Sequence, residues 1–409
     1  MYLNTFTRIE FMPTYLIQAL KDIKIYCIVL ILSGQAFACI PEKTKKDKNQ
    51  VEQILTGAES IQEYGPRLLD KRVALVANKS SRIGNVHLVD SLRSYGVDLV
   101  KIFAPEHGFR SNADAGEHIN NEIDEKTGIP IVSLYGKNKK PSPEILKGID
   151  LVIYDIQDVG VRFYTYISTL HYLMEACAEL DIPVLVLDRP NPNGDYVDGP
   201  VLDTAFKSFV GMHPVPVVYG MTVGEYAQMI NGEGWLKGGI QCDLTIQPCK
   251  NYKRTMRYEL PVKPSPNLPN YRSIRLYPSL CFFEGTTVSV GRGTAFPFQV
   301  FGAPYLKGDF SFIPKSGPGS KYPKHENKPC FGADLREGST MQSLNLDWLI
   351  SAYKQQPKDF FNSFFEKLAG TNELRKQLEN GLSVEEIRAS WKEDLKRFIV
   401  LRSRYLVYE

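Results

Sequence analysis

Residues 151–170 read LVIYDIQDVGVRFYTYISTL. The first four, Leu151-Val152-Ile153-Tyr154, are apolar without alternation, as in a strand buried on both faces of a parallel sheet. After a polar, glycine-containing stretch, Ile167, Leu170, Met174, Cys177 and Leu180 recur near 3.6-residue spacing, which predicts a helix of about four turns. The same strand signature appears at Val73-Ala74-Leu75-Val76-Ala77, at residues 98–103 (DLVKIF) and at Pro183-Val184-Leu185-Val186-Leu187. Strand and helix patterns alternate over residues 58–202, so the expected fold is α/β with a doubly wound parallel sheet.

Working outward, DRPNPNGDYVDGP (188–200) is dense in Pro, Gly and Asn and reads as a loop and hinge. It divides an expected sheet domain (58–205) from a second, smaller α/β domain (206–409). In the latter, Thr222-Val223-Gly224-Glu225 is a capping box opening a helix that ends near Asn231-Gly232. Residues 312–330 are loop by composition. The tail is expected to be helical: Ser383 and Glu386 cap a segment with Ile387, Trp391, Leu395 and Phe398 on one face.

The 409 residues are 43% hydrophobic and 23% charged, which excludes a largely disordered chain and a polytopic membrane protein. Lys and Arg number 49 against 46 Asp and Glu, a net charge of +3, too small for the electrostatic footprint of a nucleic-acid binder. Lys21 and Lys24, the apolar run at 25–32 and Ala36-Phe37-Ala38 read as an export signal over residues 1–38. Cys39 directly after it suits a loose lipobox, hence a possible lipid anchor. Residues 39–57 are a polar tether. The expected location is periplasmic, or membrane-anchored as a lipoprotein. Cys177, Cys242, Cys249, Cys281 and Cys330 follow no disulfide or metal spacing, although Cys242 and Cys249 can pair in an oxidising compartment.

Ligands of a parallel sheet bind beyond the carboxyl ends of its strands. There the chain places Asn78-Lys79-Ser80-Ser81, then Ala104-Pro105-Glu106-His107-Gly108, then residues 155–166 with Gln157, Arg162, Tyr164 and Tyr166, then Asp188-Arg189-Pro190-Asn191. Glu106 is the first candidate for acid/base work, its competing reading being a loop carboxylate bonded to backbone amides. His107 can orient it, contact substrate or serve structure alone. Arg162 with Tyr164 and Tyr166 would suit a carboxylate-bearing sugar, or Arg162 pairs with Asp155 or Asp158 to organise its loop. In the second half, Glu284 is another candidate carboxylate, or a partner of Arg292. Pro264-Ser265-Pro266-Asn267 is rigid and can present Asn267. No GxGxxG, Walker, HExxH or GxSxG motif occurs. Carboxylate chemistry without a cofactor or metal remains, and glycoside cleavage needs only that.

Six stretches in order carry a resemblance: APEHGFR with NADAGEH (104–118), YDIQDVGVRFYTYISTL (154–170), LDRPNP (187–192), YGMTVGE (219–225), PSPNLP (264–269) and FEGTTVSVGRGT with FPFQ (283–299). Over roughly residues 58–409 the chain resembles the exo-β-N-acetylmuramidases. The resemblance implies a Rossmann-like domain plus a second domain, a site between them, no redox cofactor, and release of non-reducing terminal β-1,4-linked N-acetylmuramic acid (MurNAc) from muropeptides or MurNAc-GlcNAc fragments. It implies that Glu106 and His107 lie in the catalytic motif and that Arg162, Tyr164, Glu284 and Arg292 fall on motifs lining the cleft; the residues' own reading adds Glu284 as the second candidate catalytic carboxylate. Asn78 and Ser81 match the usual Asn-Gln-Thr-Ser; Lys79 and Ser80 depart from it. The expected substrate-binding set is thus Asn78, Ser81, Gln157, Arg162, Tyr164, Tyr166, Asn267 and Arg292.

Glu106 is expected to protonate the leaving oxygen, with Glu284 as base, nucleophile or hydroxyl ligand, unless the substrate's acetamido group attacks. Two other classes compete: a non-catalytic, lipid-anchored muropeptide receptor, and a metal phosphoesterase using Asp155, Asp158 and Asp188.

Overall fold

The computed structural model describes residues 53–106, 108–110, 122–136, 138–356 and 358–409. The export signal, Cys39 and His107 lie outside the described residues. In chain order the strands of the first part are β1 (Arg72–Ala77), a hairpin of β2 (Arg82–Ile83) and β3 (Val86–His87), β4 (Asp98–Ala104), β5 (Glu122–Ile123), β6 (Pro130–Ser133), β7 (Leu151–Asp155), β8 (Val184–Leu187) and β9 (Leu244–Gln247). Seven of them form one sheet in the order β5-β6-β4-β1-β7-β8-β9. All neighbours are parallel except the edge strand β5, which runs against β6.

The missing alternation in the strand sequences has a direct cause. Successive side chains of a strand point to opposite faces, and here both faces are covered. Leu75, Ile153 and Leu185 enter one apolar cluster with Leu88, Val89 and Leu92 of the helix Leu88–Tyr95. Their neighbours Val76, Val152, Tyr154 and Val186 enter the other, with Ile167, Leu170, Met174 and Cys177 of the helix Tyr166–Ala178. That helix lies where the spacing predicts it. Leu180, expected as the end of its stripe, falls beyond the last turn and is 38% exposed.

The 188–200 segment is not a hinge. Asp188 through Asn193 are buried, and their polar groups tie neighbouring elements together. Asp188 caps the helix Val223–Gly232, accepting from the Gly224 amide at 2.8 Å and the Thr222 hydroxyl at 2.6 Å. Asn193 donates to the carbonyls of Val159 and Ile274. The chain then returns to supply β9, parallel to β8, so the sheet continues past the expected break near residue 205. β9 is short and only half-buried (LTIQ), which hides it from a search for apolar runs.

The remainder contains β10 (Val300–Ala303), β11 (Phe310–Phe312) and β12 (Cys330–Asp334), an antiparallel sheet in the order β10-β12-β11, and helices that include Asp347–Gln355 and Val384–Ser403. The second part is therefore this small sheet with helices, the last of them opened by the expected Ser383–Glu386 capping box and burying Ile387, Trp391 and Phe398. Its apolar residues join the same core as the helix face of the large sheet, and residues 53–409 form one compact unit. The five cysteines among the described residues are buried free thiols, Cys242 and Cys249 among them.

The carboxyl end of β7 carries a buried ion pair: Arg189 binds Asp155 through Nε at 2.6 Å and Nη2 at 2.8 Å. Arg189→Met strands an unpaired carboxylate inside the protein and is expected to cost about 3–5 kcal/mol of stability, read by urea denaturation. An unchanged midpoint would contradict a structural role for the pair.

Candidate active site

The chain runs β1 to β4 to β6 on one side of the sheet and β7 to β8 to β9 on the other, so its direction reverses between β1 and β7. Loops that leave the carboxyl edge on the two sides of such a reversal diverge and open a crevice. A cavity of about 270 Å³ lies there. It is lined by the loops after β4, β6 and β7, by residues between 265 and 298, and by Phe209, Val210, Phe364 and Leu368.

Glu106 enters it from the end of β4. The Gly108 amide bonds back to the Pro105 carbonyl at 3.1 Å with Gly108 at φ 79°, a tight turn that a side chain at 108 would strain. The Thr165 hydroxyl donates to Glu106 Oε2 at 2.9 Å. The Tyr135 phenol also bonds the Glu106 carboxylate; burial first, and then that negative charge, push the phenol's pKa up to about 12. Tyr135 is thus a proton donor to Glu106, not a base.

The floor is aromatic. Tyr164 meets Tyr166 edge-on at 5.0 Å and Tyr277 at 6.0 Å, and its hydroxyl donates to the Pro264 carbonyl at 2.9 Å. Tyr166 receives the Asn78 amide at 3.0 Å. Asn78 is therefore a support for Tyr166 and does not line the cavity. Ser81 and Gln157 are likewise not brought to it: Ser81 Oγ donates to the Asp155 carbonyl, and the Gln157 amide bonds the carbonyls of Asp158 and Pro190. Ser80, one of the two departures from the usual motif, braces the same junction, its hydroxyl accepting from the Gln157 amide at 3.2 Å.

Arg162 is a correction. Its side chain is fully buried away from the cavity. It pairs with neither Asp155 nor Asp158, and donates to four carbonyls: Pro200, Val215, Leu368 and Ala369, at 2.6–3.0 Å. Burial draws its pKa down to about 9. It clamps the sheet to the helix Phe365–Ala369, and no substrate carboxylate reaches it. The three aspartates of the metal-phosphoesterase reading are also engaged internally: Asp155 with Arg189, Asp188 with Thr222 and Tyr408, Asp158 with Tyr219.

The lining also carries Glu284, in the 3-10 turn Cys281–Gly285 that follows the helix Tyr271–Leu280. Arg292 grips it in two bonds, Nε to Oε1 at 2.6 Å and Nη2 to Oε2 at 3.0 Å. Each side chain of the pair is about a quarter exposed, toward the cavity. Nη1 of Arg292 lies outside the ion pair, and its guanidinium sits 5.0 Å above the Phe298 ring. Asn267 also lines the cavity, its amide fixed to the Gly319 carbonyl at 2.7 Å. The expected pairing of Glu284 with Arg292 and their place in a cleft thus both hold. Glu106, Tyr164, Tyr166, Asn267, Glu284 and Arg292 share one hollow.

Tyr135, Thr165 and Tyr277 are among the lining residues that the sequence analysis did not single out. Tyr135 follows β6, a four-residue strand (PIVS) too short to stand out, although the rule of reading past each strand end reaches it once β6 is known. Chemically, the hollow offers two carboxyl groups, stacking faces for a pyranose, and a guanidinium whose Nη1 lies outside its ion pair.

The family model described as "Exo-beta-N-acetylmuramidase NamZ, N-terminal" matches residues 73–272, and "Exo-beta-N-acetylmuramidase NamZ, C-terminal" matches 275–408. The chain belongs to this family. It is 39% identical, over 95% of its length and all of the relative's, to the peptidoglycan beta-N-acetylmuramidase NamZ of Bacillus subtilis strain 168. Two crystal structures of DUF1343 family proteins from Bacteroides fragilis are similar, with TM-scores of 0.82 and 0.77 at 49% and 30% identity. Each comparison covers 87% of this chain and 99% of the other. Both matched parts contribute to the cavity: Glu106, Tyr164, Tyr166 and Asn267 come from the N-terminal part, Glu284 and Arg292 from the C-terminal part.

Arg162→Met orphans four buried carbonyls and is expected to lower stability by at least about 3 kcal/mol, while the KM of the folded protein stays unchanged. Were Arg162 a substrate ligand, steady-state kinetics would show a raised KM at unaltered stability.

Proposed function

We propose that this chain is a glycosidase that removes non-reducing terminal β-1,4-linked MurNAc from peptidoglycan fragments, with Glu106 as the acid. The observation that carries the proposal is that Glu106 and the Glu284–Arg292 pair line one hollow together with Tyr164, Tyr166 and Tyr277. Membership of a muramidase family supports turnover over mere sugar binding.

Glu106 donates its proton to the glycosidic oxygen while Thr165 and Tyr135 fix its carboxyl group and keep a single orientation toward the bond. Glu284 has both oxygens engaged by Arg292, so it serves as a fixed negative charge near the developing oxocarbenium ion and as an acceptor for a sugar hydroxyl. Attack then falls to water or to the 2-acetamido group of the substrate, which needs no protein nucleophile. Nη1 of Arg292 is the donor that suits the lactyl carboxylate, the group that distinguishes MurNAc from GlcNAc. The basic, apolar and Ala-x-Ala segments of residues 21–38 support export to the compartment that holds peptidoglycan, and Cys39 supports a lipid anchor there.

Incubation with a MurNAc-GlcNAc disaccharide beside its glucosaminyl analogue, followed by mass spectrometry, is expected to show free MurNAc from the first and no cleavage of the second. Glu106→Gln is expected to lower kcat by about 10²–10⁴-fold. Uncleaved disaccharide with the wild-type protein, or full kcat in the variant, would contradict the proposal.

A further inference from the structure

Lys324 belongs to the irregular segment between β11 and β12, a stretch that the sequence motifs leave without any role. Its side chain leaves that segment and buries its ammonium beneath the turn that carries Glu284. Nζ bonds the main-chain carbonyls of Phe283 at 2.8 Å, Glu284 at 3.1 Å, Thr286 at 2.5 Å and Val288 at 3.4 Å. An ammonium has three protons, so four carbonyls of one six-residue stretch share all of them. The adjacent His325 ring bonds the Thr287 carbonyl at 2.6 Å. On the far side, the Asn362 amide nitrogen meets the Gly285 carbonyl at 2.9 Å and its side chain meets the Glu284 carbonyl at 3.3 Å. Gly285 itself is pressed against the Phe365 backbone, where a Cβ would come within 2.5 Å.

Carbonyls that converge in this way repel one another unless a cation holds them. Without the ammonium these four carbonyls lose the one donor they share, and the direction of the Glu284 carboxylate follows the turn that bears it. We propose that Lys324 is the positioning residue of the Glu284–Arg292 pair: its ammonium gathers the carbonyls of the 283–288 turn and so fixes the carboxylate on the cavity wall. This rests on the reading of the hollow as a muramidase site.

The charged and titratable groups facing the ammonium are Glu284 and Cys281 on the turn and Arg292 beyond it. Burial lowers the Lys324 pKa to about 8; Glu284 opposes that shift and Arg292 adds to it. As pH rises through that value the ammonium loses its proton, and one donor and the positive charge are lost together. The cation is the gathering form, so turnover is expected to fall on the alkaline side.

The test is the pH profile of kcat on a chromogenic muramide for the wild type, Lys324→Met and Lys324→Arg, each with its KM and thermal midpoint. The expected results are a descending limb near pH 8 in the wild type and a kcat lower by about 10–10²-fold in Lys324→Met, a loss of the size that a small misplacement of a catalytic group produces. Lys324→Arg, whose guanidinium keeps its charge, is expected to recover part of that kcat and to lack the limb below pH 10. A residue that served folding alone would lower the midpoints and leave the limb in place. Full kcat in a folded Lys324→Met, or a limb unchanged in Lys324→Arg, overturns the proposal. If neither variant folds, the wild-type profile decides, and a flat kcat from pH 7 to 9 overturns it. A wild type that releases no sugar at any pH refutes the muramidase reading instead.

Discussion

A parallel sheet covered on both faces concentrates its unpaired polar groups at the ends of its strands, and those groups must be satisfied where water is scarce. In this protein the carboxyl edge of β1, β7 and β8 meets that demand with side chains from neighbouring loops. Ser81 bonds the Asp155 carbonyl, Asn78 bonds Tyr166, Gln157 bonds the Pro190 carbonyl, and Arg189 pairs with Asp155. Three loops become one rigid platform. Glu106, from the next strand over, leans on it through Thr165. Glu106 is therefore placed by a network of which Asn78, Ser81, Gln157 and Arg189 lie outside the hollow.

The same economy governs the cations. Arg162 and Lys324 are both caged by main-chain carbonyls, and neither has a carboxylate bonded to its head group. Such cages are tolerable because each carbonyl contributes a dipole in a setting where it is strong, and they fix backbone more firmly than a surface ion pair does. Arg162 joins the sheet to the helix Phe365–Ala369; Lys324 gathers a single turn. Arg292 is the contrasting case, bound to a carboxylate and exposed to the hollow. Among these three cations Arg292 lines the hollow, whereas Arg162 and Lys324 do not.

That distinction explains what could be read from the sequence. The doubly wound sheet was legible because β1, β7 and β8 are apolar on both faces, and the capping boxes at Thr222 and Ser383 were legible because their geometry is local. The shared hollow of Glu106 and Glu284 was legible because each sits in a motif next to glycines and aromatics. The role of Arg162 was not, since a guanidinium in a loop beside tyrosines has the same sequence whether it faces a sugar or four carbonyls. Nor was β9, whose half-polar LTIQ gains its place from β8 alone. Tyr135 and Lys324 depend on contacts between segments far apart in the chain, and no spacing rule encodes those.

On the proposed reading, a terminal MurNAc occupies the hollow with its glycosidic bond against Glu106. A crystal structure of the Glu106→Gln protein with an uncleaved MurNAc-GlcNAc disaccharide measures this directly. The account predicts the glycosidic oxygen about 2.6–3.2 Å from the side chain at 106, the ring over Tyr164 and Tyr166, and the lactyl carboxylate at Arg292. A sugar bound outside this hollow, or one whose glycosidic oxygen faces away from residue 106, would contradict it.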